Sequence, residues 1–207
     1  SCDPHNSGLP SYTRELLLFE MSLYRDWLVG VHLNIRLDPA QQEALQKSFE
    51  LLADTALQQA AVCVHRDFHS RNLMVSPFHN PGILDYQDAV IGPVTYDLVS
   101  LLRDCYISWP RQRVEDWVMG YFELAQQSGI LRQDRVNELQ FLKWFDWMGV
   151  QRHLKAAGIF ARLNHRDGKP GYLGDIPRTL GYVSDVCSRY SELSELGRLT
   201  RTVIASL

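Results

Sequence analysis

The chain lacks the features that several large protein classes require. Its 207 residues contain no apolar run near eighteen residues, the length typical of a membrane-spanning helix, and no secretory signal peptide. The 21 basic residues stand against 24 acidic ones, without the basic excess of nucleic-acid-binding domains. Four cysteines, Cys2, Cys63, Cys105 and Cys187, are widely spaced and form no CxxC pair. We therefore expect buried, reduced thiols in a cytoplasmic globular protein with no membrane or nucleic-acid partner.

The octapeptide HRDFHSRN, from His65 to Asn72, is the most informative pattern that the chain does contain. Asp67 stands two positions after His65 and five before Asn72, the spacing of a phosphoryl-transfer catalytic loop. A carboxylate there accepts a proton from the attacking hydroxyl, and an amide oxygen holds a Mg²⁺ ion. We assign the first role to Asp67 and the second to Asn72. The structural alternative is a polar turn in which both side chains only bond neighbouring amides.

A second carboxylate follows at a distance that a hairpin explains. Asp85 comes 13 residues after Asn72, at the end of the short apolar run 82–84. Another apolar run, 73–75, follows Asn72 directly, and Pro, Asn and Gly residues lie between the two runs, so the segment reads as strand, turn, strand. The hairpin would bring Asp85 back beside Asn72, where it is our second candidate Mg²⁺ ligand. Its alternative is an exposed surface carboxylate.

The order of these residues resembles the aminoglycoside phosphotransferase family, small-molecule kinases that share the protein-kinase fold. In that family an HxDxxxxN loop is followed by an Asp on a strand and then by a helix that opens with Tyr-Asp. The corresponding residues of this chain are His65, Asp67, Asn72, Asp85 and Tyr96-Asp97. The resemblance implies ATP and Mg²⁺ as cofactors. It also implies structural roles for His65 and for Asp97, the latter bonded to the catalytic loop.

Three longer segments are similar to the cell-wall-recycling sugar kinases of that family, which phosphorylate the anomeric hydroxyl of N-acetylmuramate and N-acetylglucosamine. They read HRDFHSRNLMV, ILDYQDAVIGPVTYDLVSLLRDCYISWP and WMGVQRHLKAAGIFARLNHRDGKPGYLGDIPRTLGYV. With them the resemblance extends from about Leu9 to Tyr190 and implies an amino sugar of peptidoglycan recycling as the substrate. An aminoglycoside or a choline-like alcohol remains the alternative acceptor, since the same base and metal ligands would serve it.

The resemblance implies the C-terminal lobe of a protein-kinase-like fold, mainly α (α+β), a helical bundle with a small β-hairpin that carries the catalytic loop and metal ligands. Asp38 before Pro39 predicts a helix N-cap, and Gly129 predicts a helix end. Hydrophobic periodicity predicts helices over 13–31, 38–60, 95–107, 111–128 and 133–157, with two shorter ones after Pro177.

Two pieces of a kinase are missing from the sequence. A kinase covers the phosphates with a glycine-rich loop and pairs a strand lysine with a helix glutamate. The 13 glycines never form GxGxxG, and the few lysines lie in helical or loop patterns. The chain begins with Ser1, and its first ten residues, SCDPHNSGLP, are linker-like. We expect residues 1–10 to be a hinge remnant, residues 11–207 to be the lobe without its N-terminal partner lobe, and the chain by itself to be inactive.

Departures from the protein-kinase pattern predict a small-molecule acceptor. Asp85 is followed by Tyr86 and Gln87 rather than by the usual Phe-Gly, and no Ala-Pro-Glu segment follows. Ten residues separate Asp85 from Tyr96, too few for an activation loop that docks a peptide.

Other polar residues are candidates for contacts with phosphate or acceptor. His69 and Arg71 occupy the stretch where protein kinases place a phosphate-contacting lysine; their alternative is a solvated loop. Asp88 either supports a neighbouring metal ligand or belongs to a turn. The acceptor candidates come from segments that mix aromatic and polar side chains, and they are Trp109, Asp146, Arg152 and His153.

Two further segments are assigned by pattern alone. Trp144, Phe145 and Trp147 have helical spacing, which favours a place in the core over a sugar-stacking face. The segment HRDGKPGY, residues 165–172, has too much Gly and Pro for a helix and is either a substrate-side loop or a connector.

Two rival functions use the same residues differently. His65, Asp67 and His69 alternate along the chain, so with Asp85 and Asp88 they would suit a transition-metal hydrolase, although Asn72 would then have no role. The other rival is a non-catalytic pseudokinase module, against which the intact Asp67, Asn72 and Asp85 argue.

Overall fold

The structure, a computed structural model, describes residues 8–132 and 135–207. Contacts divide the chain into two compact units. The first unit contains the chain up to Tyr12 together with Thr55–Met148, and the second contains Thr13–Asp54 together with Gly149–Leu207.

Helices dominate the described residues. The α-helices are, in chain order, α1 (Arg14–Leu23), α2 (Pro39–Leu57), α3 (Tyr96–Leu102), α4 (Arg111–Gln127), α5 (Glu138–Asp167), α6 (Ile176–Cys187) and α7 (Ser194–Ile204). A π-helix, Tyr24–His32, continues α1, and short 3₁₀ helices cover Ser70–Asn72, Pro170–Asp175 and Ser191–Leu193. The strands are β1 (Ala61–Val64), β2 (Leu73–Met74), β3 (Gly82–Ile83) and β4 (Val90–Pro93). This composition confirms the predicted mainly α, α+β class.

Two small antiparallel sheets of the first unit lie directly before and after the octapeptide in the chain. Strand β1 pairs with β4, with Val64 opposite Val90, and β2 pairs with β3, with Leu73 opposite Ile83. Because β1 ends immediately before His65 and β2 begins immediately after Asn72, the octapeptide is the connection between the two sheets. The β2–β3 hairpin was predicted, whereas the pairing of β1 with β4 was not.

Three helices supply most of the apolar core of the first unit. Most of its buried apolar side chains come from α3, α4 and the part of α5 that precedes Gly149. Trp144, Phe145 and Trp147 are among them, at 6%, 1% and 3% exposure. Their predicted place in the core is confirmed.

Several predicted helix limits are wrong. Helix α3 ends at Leu102 rather than near 107, because Arg103 leaves the helical region with φ −118° and ψ 47°. Helix α5 runs ten residues past the predicted end at 157, so His165 is helical and only residues after Asp167 leave the helix. The predicted start of that helix, at 133, lies outside the described residues.

The predicted helix signals at Asp38 and Gly129 are confirmed. The backbone N–H of Gln41 donates to Asp38 Oδ1 at 2.8 Å, and Gln41 Oε1 accepts from the Asp38 N–H at 3.0 Å, a reciprocal capping box. Gly129 follows α4 with φ +75°, the left-handed conformation that ends many helices.

In the second unit, α5 packs closely on the junction between α1 and the π-helix. A methyl group added at Gly158 would lie 2.3 Å from the backbone carbon of Leu23 and 2.4 Å from the backbone nitrogen of Tyr24. Glycine is therefore required at this crossing because no side chain fits between the two backbones.

The expectation of reduced, buried cysteines holds for two residues and fails for a third. Cys105 and Cys187 are buried thiols, and burial raises the pKa of Cys187 to about 12. Cys63 is disulfide-bonded. In the part of the chain that the structure describes, no helix is long and apolar enough to cross a membrane.

Candidate active site

The β2–β3 hairpin brings together the two candidate metal ligands. Leu84 N–H donates to the Asn72 carbonyl at 3.0 Å, which continues the ladder by one bond toward the octapeptide. As a result Asn72 Nδ2 lies 3.4 Å from Asp85 Oδ2. The predicted return of Asp85 to Asn72 is confirmed, since hairpin register and strand length bring the two together.

The octapeptide curls into a turn that joins the candidate base to Asn72. The Asp67 carbonyl accepts hydrogen bonds from His69 N–H at 3.0 Å and from Asn72 Nδ2 at 3.0 Å. The His69 carbonyl in turn accepts from Asn72 N–H at 2.9 Å. Asp67 is half-buried, and hydrogen bonds at both ends of the turn hold its backbone in place.

His65 acts on the backbone of the loop. The Asp67 N–H donates to His65 Nδ1 at 3.3 Å. The ring packs edge-on against Phe68, with 5.9 Å between ring centroids. These contacts support the positioning role that the family resemblance implies for His65.

Asp97, at the start of α3, holds the beginning of the loop. Its Oδ2 accepts from His65 N–H at 2.7 Å and its Oδ1 accepts from Arg66 N–H at 3.1 Å. Arg66 has φ +73° and Asp85 has φ +68°, a backbone region that costs non-glycine residues about 1–3 kcal/mol. The carboxylate clamp of Asp97 offsets this cost at Arg66. The expected bond between Asp97 and the catalytic loop is thus present.

Asp104 holds the end of the loop in a comparable way. Its Oδ2 accepts from Ser70 N–H at 2.9 Å, and its Oδ1 accepts from Tyr106 N–H at 2.9 Å. The residue is buried, at 1% exposure. This link was not predicted, because nothing in the spacing of the sequence relates Asp104 to Ser70.

Tyr106 also organises the two candidate phosphate contacts. The Arg71 guanidinium carbon lies 3.6 Å from the centre of the Tyr106 ring, a stacked cation–π geometry. The His69 ring meets the same tyrosine edge-on, at 5.4 Å between centroids. His69 and Arg71 therefore share one aromatic support, although Arg71 is exposed to solvent, and their contact with a phosphate stays a prediction.

Asp85 and Asp88 lie on the exposed segment after the hairpin. Gln87 Nε2 donates to Asp85 Oδ1 at 2.8 Å and fixes one side of that carboxylate. Asp88 uses its backbone carbonyl to accept from Arg66 Nη1 at 3.3 Å. The structure thus ties Asp88 to the loop through its backbone and leaves the role of its carboxylate as a prediction.

Two acceptor candidates of the first unit have opposite surroundings. Trp109 is 37% exposed and meets Trp117 edge-on, at 5.4 Å between centroids. Asp146 is 2% exposed and accepts two bonds from Arg111, at 2.8 and 3.0 Å. Burial alone would lower the pKa of Arg111, but the bonds and charges of Asp146 and Glu115 outweigh it and raise that pKa. Asp146 is thus engaged in a bidentate ion pair.

The other two acceptor candidates belong to the second unit. Arg152 and His153 are buried, at 6% and 1% exposure. The His153 ring packs on the Tyr182 ring with 4.9 Å between centroids. Packing inside the second unit accounts for the burial of Arg152 and His153. A contact of either residue with the phosphoryl acceptor stays a prediction.

The chemistry of the donors at the hairpin fits a Mg²⁺ ion. Asn72 and Asp85 offer amide and carboxylate oxygens, the hard ligands that this ion takes. Among residues 8–132 and 135–207, no three His, Cys, Asp or Glu side chains form a group that would hold a metal. His65 and His69 are turned to different rings, Phe68 and Tyr106, and do not converge as the hydrolase alternative requires.

Comparison with known proteins agrees with this geometry. Residues 1–135 match the phosphotransferase enzyme family. Over 196 residues the chain is 50% identical to an N-acetylmuramate/N-acetylglucosamine kinase of Pseudomonas putida. The aligned region covers 95% of this chain and 57% of that protein. Kinases of the same name from Neisseria meningitidis and Pseudomonas aeruginosa are 48% and 46% identical and match 91% and 92% of the chain.

The chain spans little more than half the length of these relatives, 57%, 55% and 56% of the three proteins respectively.

Proposed function

Because the chain belongs to the phosphotransferase enzyme family, we propose that its protein is an ATP-dependent kinase that phosphorylates a sugar hydroxyl. The observation that carries the proposal is the approach of Asn72 to Asp85, at 3.4 Å, on a loop that also bears Asp67. The names of the three relatives support N-acetylmuramate and N-acetylglucosamine as the acceptors. We propose that the anomeric hydroxyl of these sugars is the one phosphorylated. We further propose that the reaction takes place in the cytoplasm, where ATP is available.

In this proposal Asp67 orients the acceptor hydroxyl and accepts its proton as the phosphoryl group transfers. The carbonyl bonds and the His65 contact hold the Asp67 backbone, so the carboxylate projects from a fixed position. A positioned base of this kind contributes about 10²- to 10⁴-fold to the rate.

Asn72 and Asp85 are the residues that would hold Mg²⁺. Bound there, the ion would neutralise charge on the nucleotide phosphates. The hydrogen bond from Gln87 orients the Asp85 carboxylate, and the bond from Asn72 to the Asp67 carbonyl keeps ligand and base in one rigid turn.

Arg71 and His69 are proposed to face the transferred phosphoryl group. The Tyr106 ring supports Arg71 from one face, which leaves the N–H groups in the plane of the guanidinium, the geometry in which arginine binds phosphate oxygens. Asp88 is proposed to stabilise the catalytic loop through the hydrogen bond that its backbone carbonyl accepts from Arg66 Nη1.

For the acceptor, we propose that Trp109 offers an exposed aromatic face to a sugar ring. Asp146 is buried, so its proposed contribution is to support the acceptor side of the first unit rather than to contact solvent-accessible hydroxyls directly.

We also propose that the phosphate-covering loop and its lysine come from a part of the protein beyond this chain. The proposal is supported by the fraction of the relatives that the chain spans. It is also supported by apolar side chains around the hairpin that lie in solvent, with Val75 at 93%, Phe78 at 79% and Tyr86 at 71% exposure. In this proposal the chain alone has no kinase activity.

The test is ATP consumption by the complete protein with a panel of N-acetyl sugars, aminoglycosides and choline. We expect Mg²⁺-dependent turnover with the N-acetyl sugars that falls in Asp85→Asn and is unchanged in the control Asp116→Asn, an exposed helical aspartate. Turnover with aminoglycosides alone would overturn the proposed acceptor. Full activity of Asp85→Asn, or activity without divalent metal, would overturn the proposed site.

A further inference from the structure

We propose that Asp104 is a positioning residue that sets the geometry of the metal-binding end of the catalytic loop. The inference rests on the proposed phosphoryl transfer and adds to it a residue outside the HxDxxxxN pattern. Asp104 touches neither of the candidate metal ligands through its own side chain; it acts through the backbone of Ser70.

The contacts that carry the proposal are two hydrogen bonds to one buried carboxylate. Ser70 N–H and Tyr106 N–H each donate to a different oxygen of Asp104, both at 2.9 Å. Hydrogen bonds to an ionised acceptor are about twice as strong as those between neutral groups. At 1% exposure water does not compete for the carboxylate, so the two segments are held at a fixed separation.

The backbone position of Ser70 determines where the Asn72 side chain lies. Ser70 is the first residue of the 3₁₀ helix Ser70–Asn72, which ends at the candidate metal ligand. The preceding residue, His69, is extended, with φ −128° and ψ 169°, so the chain changes direction at Ser70. An anchor on the Ser70 N–H therefore fixes where this turn begins and where the Asn72 amide ends.

The hydrogen bond from Tyr106 N–H to Asp104 lets the same carboxylate position Arg71, a candidate phosphate contact. By holding Tyr106 N–H, Asp104 places the ring on which Arg71 stacks at 3.6 Å. The Asp104 carboxylate thus positions both the 3₁₀ turn that carries Asn72 and the Tyr106 ring on which Arg71 stacks. Asp97 performs the matching task at the other end of the loop, through His65 and Arg66.

The first variant to test is Asp104→Asn in the complete protein. Asparagine keeps one acceptor oxygen but turns an N–H₂ group toward the other amide, so one of the two bonds is lost. Loss of a residue that orients a metal ligand costs about 10- to 100-fold in metal affinity, so we expect the half-saturating Mg²⁺ concentration to rise by that factor. We expect kcat to fall roughly 10- to 100-fold, as for other small misplacements, with KM for the acceptor unchanged.

The second variant, Ser70→Pro, removes the donor and leaves Asp104 and its bond to Tyr106 intact. Proline suits the first residue of a helix after an extended residue, so the backbone tolerates the change. We expect the same direction of change in kcat and in Mg²⁺ dependence. Asp104→Ala removes both acceptor oxygens, so if Ser70 acts only through Asp104, adding Ser70→Pro to Asp104→Ala should cause no further loss.

The outcomes separate this inference from the proposed function. A wild-type protein without kinase activity would defeat the function, and the inference is then decided by amide hydrogen exchange, which should speed up at Ser70 in Asp104→Ala. Unchanged exchange at Ser70, kinetics equal to those of Asp116→Asn, or additive effects in the double variant would each overturn it. A variant that only destabilises the fold would lower the melting temperature without raising the Mg²⁺ requirement, and that result also counts against it.

Discussion

The octapeptide of the first unit and the buried ion pair of the second unit use charged side chains in opposite ways. In the second unit Lys155 Nζ lies 2.9 Å from Glu20 Oε1, and the two side chains are 12% and 3% exposed. Gln151 adds a bond to the other oxygen of Glu20 at 3.2 Å. In the octapeptide region Asp67 is half-buried and Asp85 is exposed, and Asp85 is bonded by neutral amide groups of Asn72 and Gln87.

The difference shows how to distinguish a structural charge from a chemical one. A buried carboxylate that has a dedicated cation is already neutralised, and separating the pair in a low dielectric is costly. A carboxylate that is reachable by solvent and held by neutral donors keeps its charge available for a metal ion or a proton. The region around Asp67 is also where Arg66 and Asp85 adopt the left-handed conformation, and such backbone outliers cluster at functional sites.

The largest expected effect tests the chemical side of this comparison. Asp67→Asn in the complete protein should lower kcat by about 10²- to 10⁴-fold, since the amide cannot accept the proton of the acceptor. Its free energy of unfolding, measured by urea denaturation, should stay within about 0.5 kcal/mol of wild type because Asp67 contributes mainly backbone bonds. A loss of stability as large as the loss of rate would show that Asp67 is structural.

The structural side of the comparison is tested by Lys155→Met. It removes the Lys155 ammonium group from the buried Glu20 carboxylate, and we expect the free energy of unfolding to fall by about 3–5 kcal/mol. The control is Glu20→Gln combined with Lys155→Met, which removes both charges and should recover much of that loss. If the single and double variants are equally unstable, packing of the lysine stem and not charge pairing holds this site.

A smaller loss of stability is expected where the second unit relies on close packing rather than charge. Gly158→Ala places a methyl group against the backbone of Leu23 and Tyr24 and should cost about 1–3 kcal/mol in the free energy of unfolding. Gly181→Ala, in α6, is the matched control because nothing lies within 4 Å of its added methyl group. It should stabilise the protein by about 0.4–1 kcal/mol, and equal effects at both sites would contradict the close approach.

The smallest expected effect concerns a histidine pair of the second unit. His32 Nδ1 and His165 Nε2 lie 3.0 Å apart, and burial together with the neighbouring histidine lowers the pKa of His32 below 6.5. Since the unfolded chain binds the proton more readily, stability is fully present above pH 6.5 and falls as the pH drops through the lower folded pKa.

His32→Gln should therefore show a shallower fall in melting temperature between neutral and mildly acidic pH than wild type. The measurement is a thermal melt at closely spaced pH values, with His79→Gln, an exposed loop histidine, as the control. A slope that His32→Gln leaves unchanged would mean that other groups account for the acid sensitivity of this unit.

Local features of the fold could be predicted because short segments determine them. The hairpin between Asn72 and Asp85, the capping box of Asp38 and the helix end at Gly129 all depend on residues close together in the chain. The π-helix that follows α1 and the length of α5 could not be predicted, since packing at Gly158 and tertiary contacts override periodicity. The pairing of β1 with β4 was missed because its two strands are short and 25 residues apart.

By itself the sequence determined the residues of the candidate site, their order and the hairpin that joins Asn72 to Asp85, because hairpin register follows from turn residues and strand length. Only the tertiary structure decided what holds that site in place. Asp97 and Asp104 bond amides that are 32 and 34 residues away, and no local pattern encodes a partner at that separation. The chemistry is therefore specified by spacing along the chain, whereas its geometry depends on two carboxylates that folding brings to the loop.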